Sequence, residues 1–171
     1  ALVAAWGGPP EATLIGGGKV PAQHAAFANG ILAHGLDYDD THTDSVVHPS
    51  ACLVPAAFAA GEKQGRSGRE LLADLAASIE ITIRLGLPAH NRLHMHGFHT
   101  SSICGTFGAA ICAGRVMGFS LRKMVDALGI CGSFTSGLLE CLSAGSGAKR
   151  LHTGWAGLCG LVAAQMAAIG T

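Results

Sequence analysis

The side chains most able to do chemistry crowd into one segment, HGLDYDDTHTDSVVHPS, which spans residues 34–50. Imidazoles titrate near neutral pH and can exchange protons, while carboxylates orient imidazoles or bind cations. The segment therefore fits three readings: a proton-transfer site, a metal site, or a solvated loop whose aspartates cap helices. Its titratable members are Asp37, Asp39, Asp40, Asp44, His34, His42 and His48.

Two further segments concentrate polar chemistry. HNRLHMHGFHTSSICGTFG (90–108) contains four histidines, His90, His94, His96 and His99. SAGSGAKRLHTGWAG (143–157) is a Gly/Ser loop that leads to Lys149, Arg150 and His152, a pattern that favours contact with an anion. Because each segment adjoins an apolar predicted helix, we expect all three to converge at one end of a helical bundle. Helix N-termini there would also favour an anionic ligand.

Metal binding is the rival use of these histidines and aspartates. His94-x-His96 and Asp40-x-His42 have ligand-like spacing, as in a metal-dependent helical hydrolase. Against this, the chain has no HExxH motif, and Lys149 and Arg150 would repel a metal that shared their site. No metal is therefore predicted. His24 and His34 lie on a predicted helix face and are interpreted as packing residues, and His90 and His94 as surface loop residues.

The elements that must position these clusters are helices. Ser67 and Glu70 form a predicted capping box. The helix after this box should end at Gly86. Its predicted apolar face consists of Leu72, Leu75, Ala76, Ile79 and Ile83. A second helix should follow Ser120, with Leu121, Met124, Val125 and Leu128 on its face. A third should begin at Pro21. Segments 50–63, 102–118 and 154–169 read as Ala/Gly-rich helices, and TLIGGGKVP as a short hairpin. The sequence predicts one all-α domain over 1–171 with small-residue helix packing.

Composition limits the function classes. The formal net charge is zero and 13% of residues are charged, so neither nucleic acid nor an anionic membrane is expected as a partner. Six cysteines without a CxxC pair predict reduced thiols and a cytoplasmic location. The uncharged run 153–171 is rich in small residues, so it predicts a buried helix and not a membrane span. The first residues show no signal peptide pattern and read as an internal start.

Four ordered motifs resemble one family. They are similar to the helical domain of the MmgE/PrpD family. In chain order the motifs are FANGILAHGLDYDDTH with HPSACLVPAAFAAGE, GRELLADLAASIEITIRLG, GFHTSSICGTFGAAICAGRVMG and AKRLHTGWAGLCGLVAAQMAAIG. The family includes 2-methylcitrate dehydratase, cis-aconitate decarboxylase and an iminodisuccinate epimerase. The resemblance implies a cofactor-free, metal-independent homodimer in which a smaller α/β lid closes over the helical domain. It also implies that the chain lacks this lid and is incomplete at both ends.

The same resemblance assigns roles to individual residues. Asp37 and Thr41 match the Asp and Thr of the family's DxxDT segment, and His48 matches the His that precedes Pro-Ser. His99 matches the His of GFH, and Lys149 matches the Lys that precedes LHxG. His48 and His99 are then the acid/base pair and Asp37 an orienting catalytic group. The implied substrate contacts are Thr41, Lys149 and His152. The stretch between Thr41 and His48 is one residue longer than in the family's decarboxylase.

The expected function is therefore a lyase or isomerase: a dehydratase, decarboxylase or epimerase for small di- or tricarboxylates such as methylcitrate or cis-aconitate. Histidine-mediated proton transfer would carry the reaction. Two alternatives stay open at this point. One is the metal-dependent hydrolase that uses the His/Asp clusters, and the other is a catalytically inactive, truncated helical module that only packs against partners.

Overall fold

A computed structural model describes residues 1–170 of the chain. These residues form nine α-helices and one two-stranded hairpin. The helices are α1 (Leu2–Ala5), α2 (Ala22–Ala33), α3 (Pro49–Gln64), α4 (Gly68–Gly86), α5 (Arg92–Met95), α6 (Thr100–Val116), α7 (Leu121–Phe134), α8 (Glu140–Ser143) and α9 (Leu151–Ala168). Short 3-10 turns occupy Leu87–Ala89 and Gly147–Arg150. The all-α prediction is confirmed.

The hairpin and the helix ends follow local sequence signals. Strands β1 (Ala12–Thr13) and β2 (Lys19–Val20) pair antiparallel across the glycine-rich turn, as predicted. Ser67 and Glu70 form the predicted capping box, in which Ser67 Oγ accepts from the Glu70 amide and Glu70 Oε2 accepts from the Ser67 amide at 3.0 Å. These local contacts fix where α4 begins, and α4 ends at Gly86 as the sequence predicts.

The predicted apolar faces of α4 and α7 are partly wrong. In α4 the buried row consists of Asp74, Ser78, Thr82 and Gly86, while Leu72 and Ala76 are exposed. The Ser78 and Thr82 hydroxyls donate to carbonyls one turn back, each at 2.7 Å, so these polar groups are satisfied inside the fold. In α7 the buried residues are Ala127 and Cys131, while Leu121 and Val125 are exposed.

Helices α6 and α9 pack side by side at the centre of the domain. Helices α2 and α3 pack on one side of this pair, α4 packs on α3 and α6, and α7 packs on α6 and α9. The core cluster consists mostly of alanine, and glycines of α6 and α9 are buried beside it, which confirms the predicted small-residue packing. At the closest crossing, a Cβ placed on Gly30 would lie 2.7 Å from the Gly154 Cα atom. The backbones of α2 and α9 are therefore in direct contact.

Gly154→Ala is expected to destabilise the full-length protein by about 3 kcal/mol or more, because the added methyl overlaps the Phe27 carbonyl oxygen in a contact made of backbone. Chemical unfolding monitored by circular dichroism measures the change. Gly129→Ala in α7 is the matched control, since nothing lies within 4 Å of its added Cβ. This control should stabilise by about 0.5–1 kcal/mol. Equal stability of the two variants would contradict the close α2–α9 contact.

The six cysteines lie inside the fold, as the sequence suggests. All six cysteines are free and buried. Burial raises the pKa of Cys104 to about 11, so this thiol is protonated at neutral pH.

Among the described residues, no helix combines the length and apolar character needed to cross a bilayer.

Candidate active site

Four helix ends bring histidines together on one side of the bundle. His34 follows α2, His48 precedes α3, His99 precedes α6, and His152 lies in the first turn of α9. The ring centroid of His34 lies 4.9 Å from that of His48 and 5.7 Å from that of His99. The His99 and His152 rings are 5.2 Å apart. We call His34, His48, His99 and His152 the histidine cluster.

The loop between α2 and α3 is folded back on itself. His42 and Val47 form an antiparallel bridge. As a result Thr41 Oγ1 lies 3.0 Å from His48 Nδ1, although seven positions separate the two residues. Val46 has φ of 55°, a conformation that is strained for a β-branched residue. Thr41 is thus held against His48.

The aspartates of this loop have different tasks. Asp40 caps α3, because its carboxylate accepts from the Ser50 amide at 3.2 Å and the Ser50 hydroxyl at 2.9 Å. Asp44 contributes its carbonyl oxygen, 3.2 Å from His90 Nδ1, to an exposed contact. Capping thus accounts for Asp40, whereas Asp37 and Asp39 face the histidine cluster.

His34 and Asp39 form a pair that the sequence interpretation missed. His34 is 1% exposed, and its Nδ1 lies 2.9 and 3.0 Å from the two Asp39 carboxylate oxygens. The same carboxylate lies 3.5 Å from His48 Nδ1. His34 Nε2 is buried without a hydrogen-bond partner. A histidine at a helix end followed within five residues by two aspartates was the available signal.

Lys149 and Asp37 form an ion pair over the cluster. Lys149 Nζ donates to both Asp37 carboxylate oxygens, at 2.9 and 2.7 Å. Lys149 keeps the pKa of Asp37 below its usual value, mainly through this hydrogen bond. Asp37 Oδ1 also lies 3.7 Å from His34 Nε2 and 3.9 Å from His48 Nε2. An open cleft of about 280 Å³ borders His34, Asp37, Lys149 and Arg150.

Burial keeps the imidazole of His99 neutral. His99 is 1% exposed, and its Nδ1 lies 3.1 Å from His152 Nδ1. Burial, assisted by the nearby His152 and Lys149, lowers the pKa of His99 to about 2. Burial also lowers the pKa of His48 and of His152. At neutral pH these imidazoles are therefore unprotonated, and a bound anion would raise their pKa and so make them stronger bases.

Acidification is expected to destabilise the full-length protein from about pH 6.5 downward, where histidines of the unfolded chain begin to protonate. His99 stays neutral in the folded state down to pH about 2. The unfolded state therefore binds the extra proton in this window, and the free energy of unfolding falls as the pH falls. His99→Gln should reduce this slope in urea unfolding series. The exposed control His96→Gln should keep it, and equal slopes for all three proteins would contradict the prediction.

Comparison with known proteins decides the family. Residues 1–171 match the family model described as the MmgE/PrpD N-terminal domain. The chain belongs to the MmgE/PrpD family. It is 34% identical over 157 residues to a cis-aconitate decarboxylase of Homo sapiens, covering 89% of this chain and 32% of that protein. It is 30% identical over 167 residues to a cis-aconitate decarboxylase of Aspergillus terreus, covering 93% of this chain and 34% of that protein. The chain thus spans about a third of the length of these curated relatives.

The MmgE/PrpD motif residues meet in this one region of the fold. Asp37, Thr41, His48, His99 and Lys149 come from segments more than a hundred positions apart, and the distances above link them through the histidine cluster. His152 lies beside His99, as its assignment to the site requires. The structure therefore assembles all six residues that the sequence selected, and adds His34 and Asp39 to them.

The ligand spacings read from the sequence of this MmgE/PrpD domain do not define a shared metal site. His42 Nδ1 is engaged by the Ser45 hydroxyl at 2.9 Å, and His96 is exposed. His94 is half-buried, with its ring 6.4 Å from that of His99. Within residues 1–170, the sets whose ligand atoms all lie within 4.8 Å of one another are His34, His48 and His99, and His34, Asp37, Asp39 and His48.

Proposed function

We propose that the protein is a lyase of the dehydratase or decarboxylase type, acting on a small di- or tricarboxylate by histidine-mediated proton transfer. One observation supports this most strongly: neutral, buried imidazoles lie beside a lysine-bearing cleft, with Lys149 Nζ 2.7 Å from Asp37. An acid related to cis-aconitate is the first candidate, because the curated relatives carry that name. Because those relatives are longer, the proposal concerns the full-length protein.

Substrate binding would use the charges at the cleft. Lys149 and Arg150 supply positive charge for a substrate carboxylate. Helices α3 and α6 begin directly after His48 and His99, so their N-terminal dipoles add positive potential there. Asp37 neutralises Lys149 when substrate is absent, and a bound carboxylate would share this lysine. Thr41 and His152 would add hydrogen bonds at the two sides of the cluster.

Proton transfer would use His48 and His99. In dehydration or epimerisation, one imidazole removes a proton from the carbon next to a carboxylate. In decarboxylation, an imidazolium delivers a proton to the carbon that carbon dioxide leaves. Negative charge develops on the substrate in each case, and Lys149 would stabilise it. The Asp39 carboxylate would orient His34 and His48 from behind, since it lies within 3.5 Å of both rings.

The test is a panel of acids incubated with the full-length protein: cis-aconitate, 2-methylcitrate and citrate. We expect NMR to show conversion of at least one acid. In D₂O, a decarboxylation should place solvent deuterium on the carbon that carbon dioxide leaves, whereas a dehydration should release the carbon-bound proton to the solvent. Activity should persist after treatment with EDTA. Neither turnover nor deuterium exchange with any acid would overturn the proposal. Loss of activity in EDTA with recovery on metal addition would instead show that the reaction depends on a metal bound by the His/Asp clusters.

We further propose that the full-length protein is a cytoplasmic homodimer. Large apolar side chains are exposed on the described surface, among them Leu36, Tyr38, Leu121 and Ile169. An apolar groove of about 670 Å³ also opens between the hairpin, α2 and α3. Faces of this kind are commonly covered by more protein. Light scattering of the full-length protein should give the mass of a dimer, and a stable monomer at micromolar concentration would contradict this expectation.

A further inference from the structure

Two ring nitrogens at the centre of the histidine cluster have no hydrogen-bond partner. The Nδ1 atoms of His34, His48 and His99 lie 2.9, 3.0 and 3.1 Å from Asp39, Thr41 and His152 respectively. Each imidazole therefore keeps Nε2 for another ligand. The Nε2 atoms of His34 and His99 are buried without hydrogen-bond partners, and both side chains are 1% exposed. Unpartnered buried nitrogens of this kind are unusual and need an explanation.

The surroundings of these nitrogens match those of a transition-metal site. One ligand atom from each of His34, His48 and His99 lies within 4.8 Å of the other two. Histidines that bind zinc commonly donate their second ring N–H to a carboxylate, which is the arrangement of His34 with Asp39. Asp37 Oδ1 lies 3.7 Å from His34 Nε2 and 3.9 Å from His48 Nε2, so a carboxylate oxygen stands next to the imidazoles.

We propose that the histidine cluster binds Zn²⁺ through His34, His48 and His99, and that the bound ion inhibits the enzyme. Lys149 would stay paired with Asp37, which offsets the repulsion between this lysine and the ion. Imidazole ligands select zinc over the hard cations Mg²⁺ and Ca²⁺. A tetrahedral zinc ion holds its nitrogen ligands roughly 3.3 Å apart, so ligand atoms that lie up to 4.8 Å from one another would close by up to about 1.5 Å on binding. Inhibition follows because zinc occupies the nitrogens that proton transfer would use.

The inhibitory part of this inference rests on the proposed function, whereas the binding part does not. Zinc binding is therefore measured first, without substrate. The full-length protein, stripped of metal by a chelator, is titrated with Zn²⁺ by calorimetry. We expect one Zn²⁺ per chain and no binding of Mg²⁺. A stoichiometry below one, or equal binding of both cations, would overturn the site.

Variants locate the ion. Asp39→Asn should weaken zinc binding by about 10–100-fold, because it removes the carboxylate that orients His34. His48→Ala should weaken it at least as much, and its partial exposure makes it the safer test should a His34 variant fail to fold. His42→Ala and His96→Ala are matched histidine controls and should leave binding unchanged. Zinc binding that disappears with His96→Ala and survives His48→Ala would overturn the assignment.

Turnover separates the two proposals. Where an acid is converted, Zn²⁺ should lower the rate in competition with that acid, and EDTA should restore it. Zinc that accelerates the reaction would overturn the inhibitory role. If zinc binds as described and no acid is converted, the proposed lyase function fails while the metal site stands. If an acid is converted and zinc does not bind, the metal site fails alone.

Discussion

His99→Ala is expected to lower kcat of the full-length protein by on the order of 10²-fold or more, because it removes a general acid or base from the reacting atoms. His99 is the most deeply buried imidazole of the proposed acid/base pair, and its Nδ1 is engaged by His152 at 3.1 Å. Water that enters the space left by the imidazole would transfer the proton much less efficiently, because it is a weaker acid and base and is not held in place. The measurement is product formation at saturating concentrations of whichever acid the panel identifies.

His42→Ala is the matched control for this loss. His42 belongs to the same dense segment, but its ring contacts Ser45 and not the histidine cluster. We expect His42→Ala to keep nearly the full kcat. Circular dichroism of both variants separates lost chemistry from lost folding. A His99→Ala enzyme with unchanged kcat, or a similar loss in His42→Ala, would contradict the assigned role.

The parts of the fold that depend on local contacts are predictable from the sequence. The Ser67–Glu70 capping box, the proline before α2 and the glycine-rich turn of the hairpin each involve residues only a few positions apart. The face of α4 is different, because it depends on tertiary contact. Gly108 of α6 lies so close to Thr82 that only a short side chain fits at that position of α4. Helix α4 therefore buries the row that contains Thr82 and not the whole of the predicted apolar row. Periodicity alone contains no information about that approach.

The site shows the same division. The motif residues converge as the sequence predicts, because each stands at the end of a helix and these ends meet on one side of the bundle. His34 escapes detection because its helical position suits a packing residue equally well. Its role depends on the loop after α2 turning back, so that Asp39 reaches His34 Nδ1 at 2.9 Å. The loop reverses where His42 and Val47 form their bridge, and no motif in the loop sequence predicts this bridge.

Lys149→Ala is expected to lower kcat/KM of the full-length protein by on the order of 10²-fold, with a clear rise in KM, because a substrate carboxylate loses its charged partner in the cleft. The change also frees Asp37, whose carboxylate now forms an ion pair with Lys149 at 2.7 Å. Burial is the main cause of the lowered pKa of His48, and the charge of Lys149 lowers it further, so removal of Lys149 should raise that pKa.

A pH profile distinguishes this electrostatic role from simple loss of packing. With His48 easier to protonate, the acidic limb of kcat/KM should move to higher pH in Lys149→Ala. Lys63→Ala is the matched control, because Lys63 pairs with Glu11 at 2.9 Å, away from the residues of the cluster. That control should keep both the rate and the profile. If Lys149→Ala leaves both KM and the acidic limb unchanged, Lys149 does not bind the substrate carboxylate. Removing a cation that binds this carboxylate in the cleft must change at least one of the two.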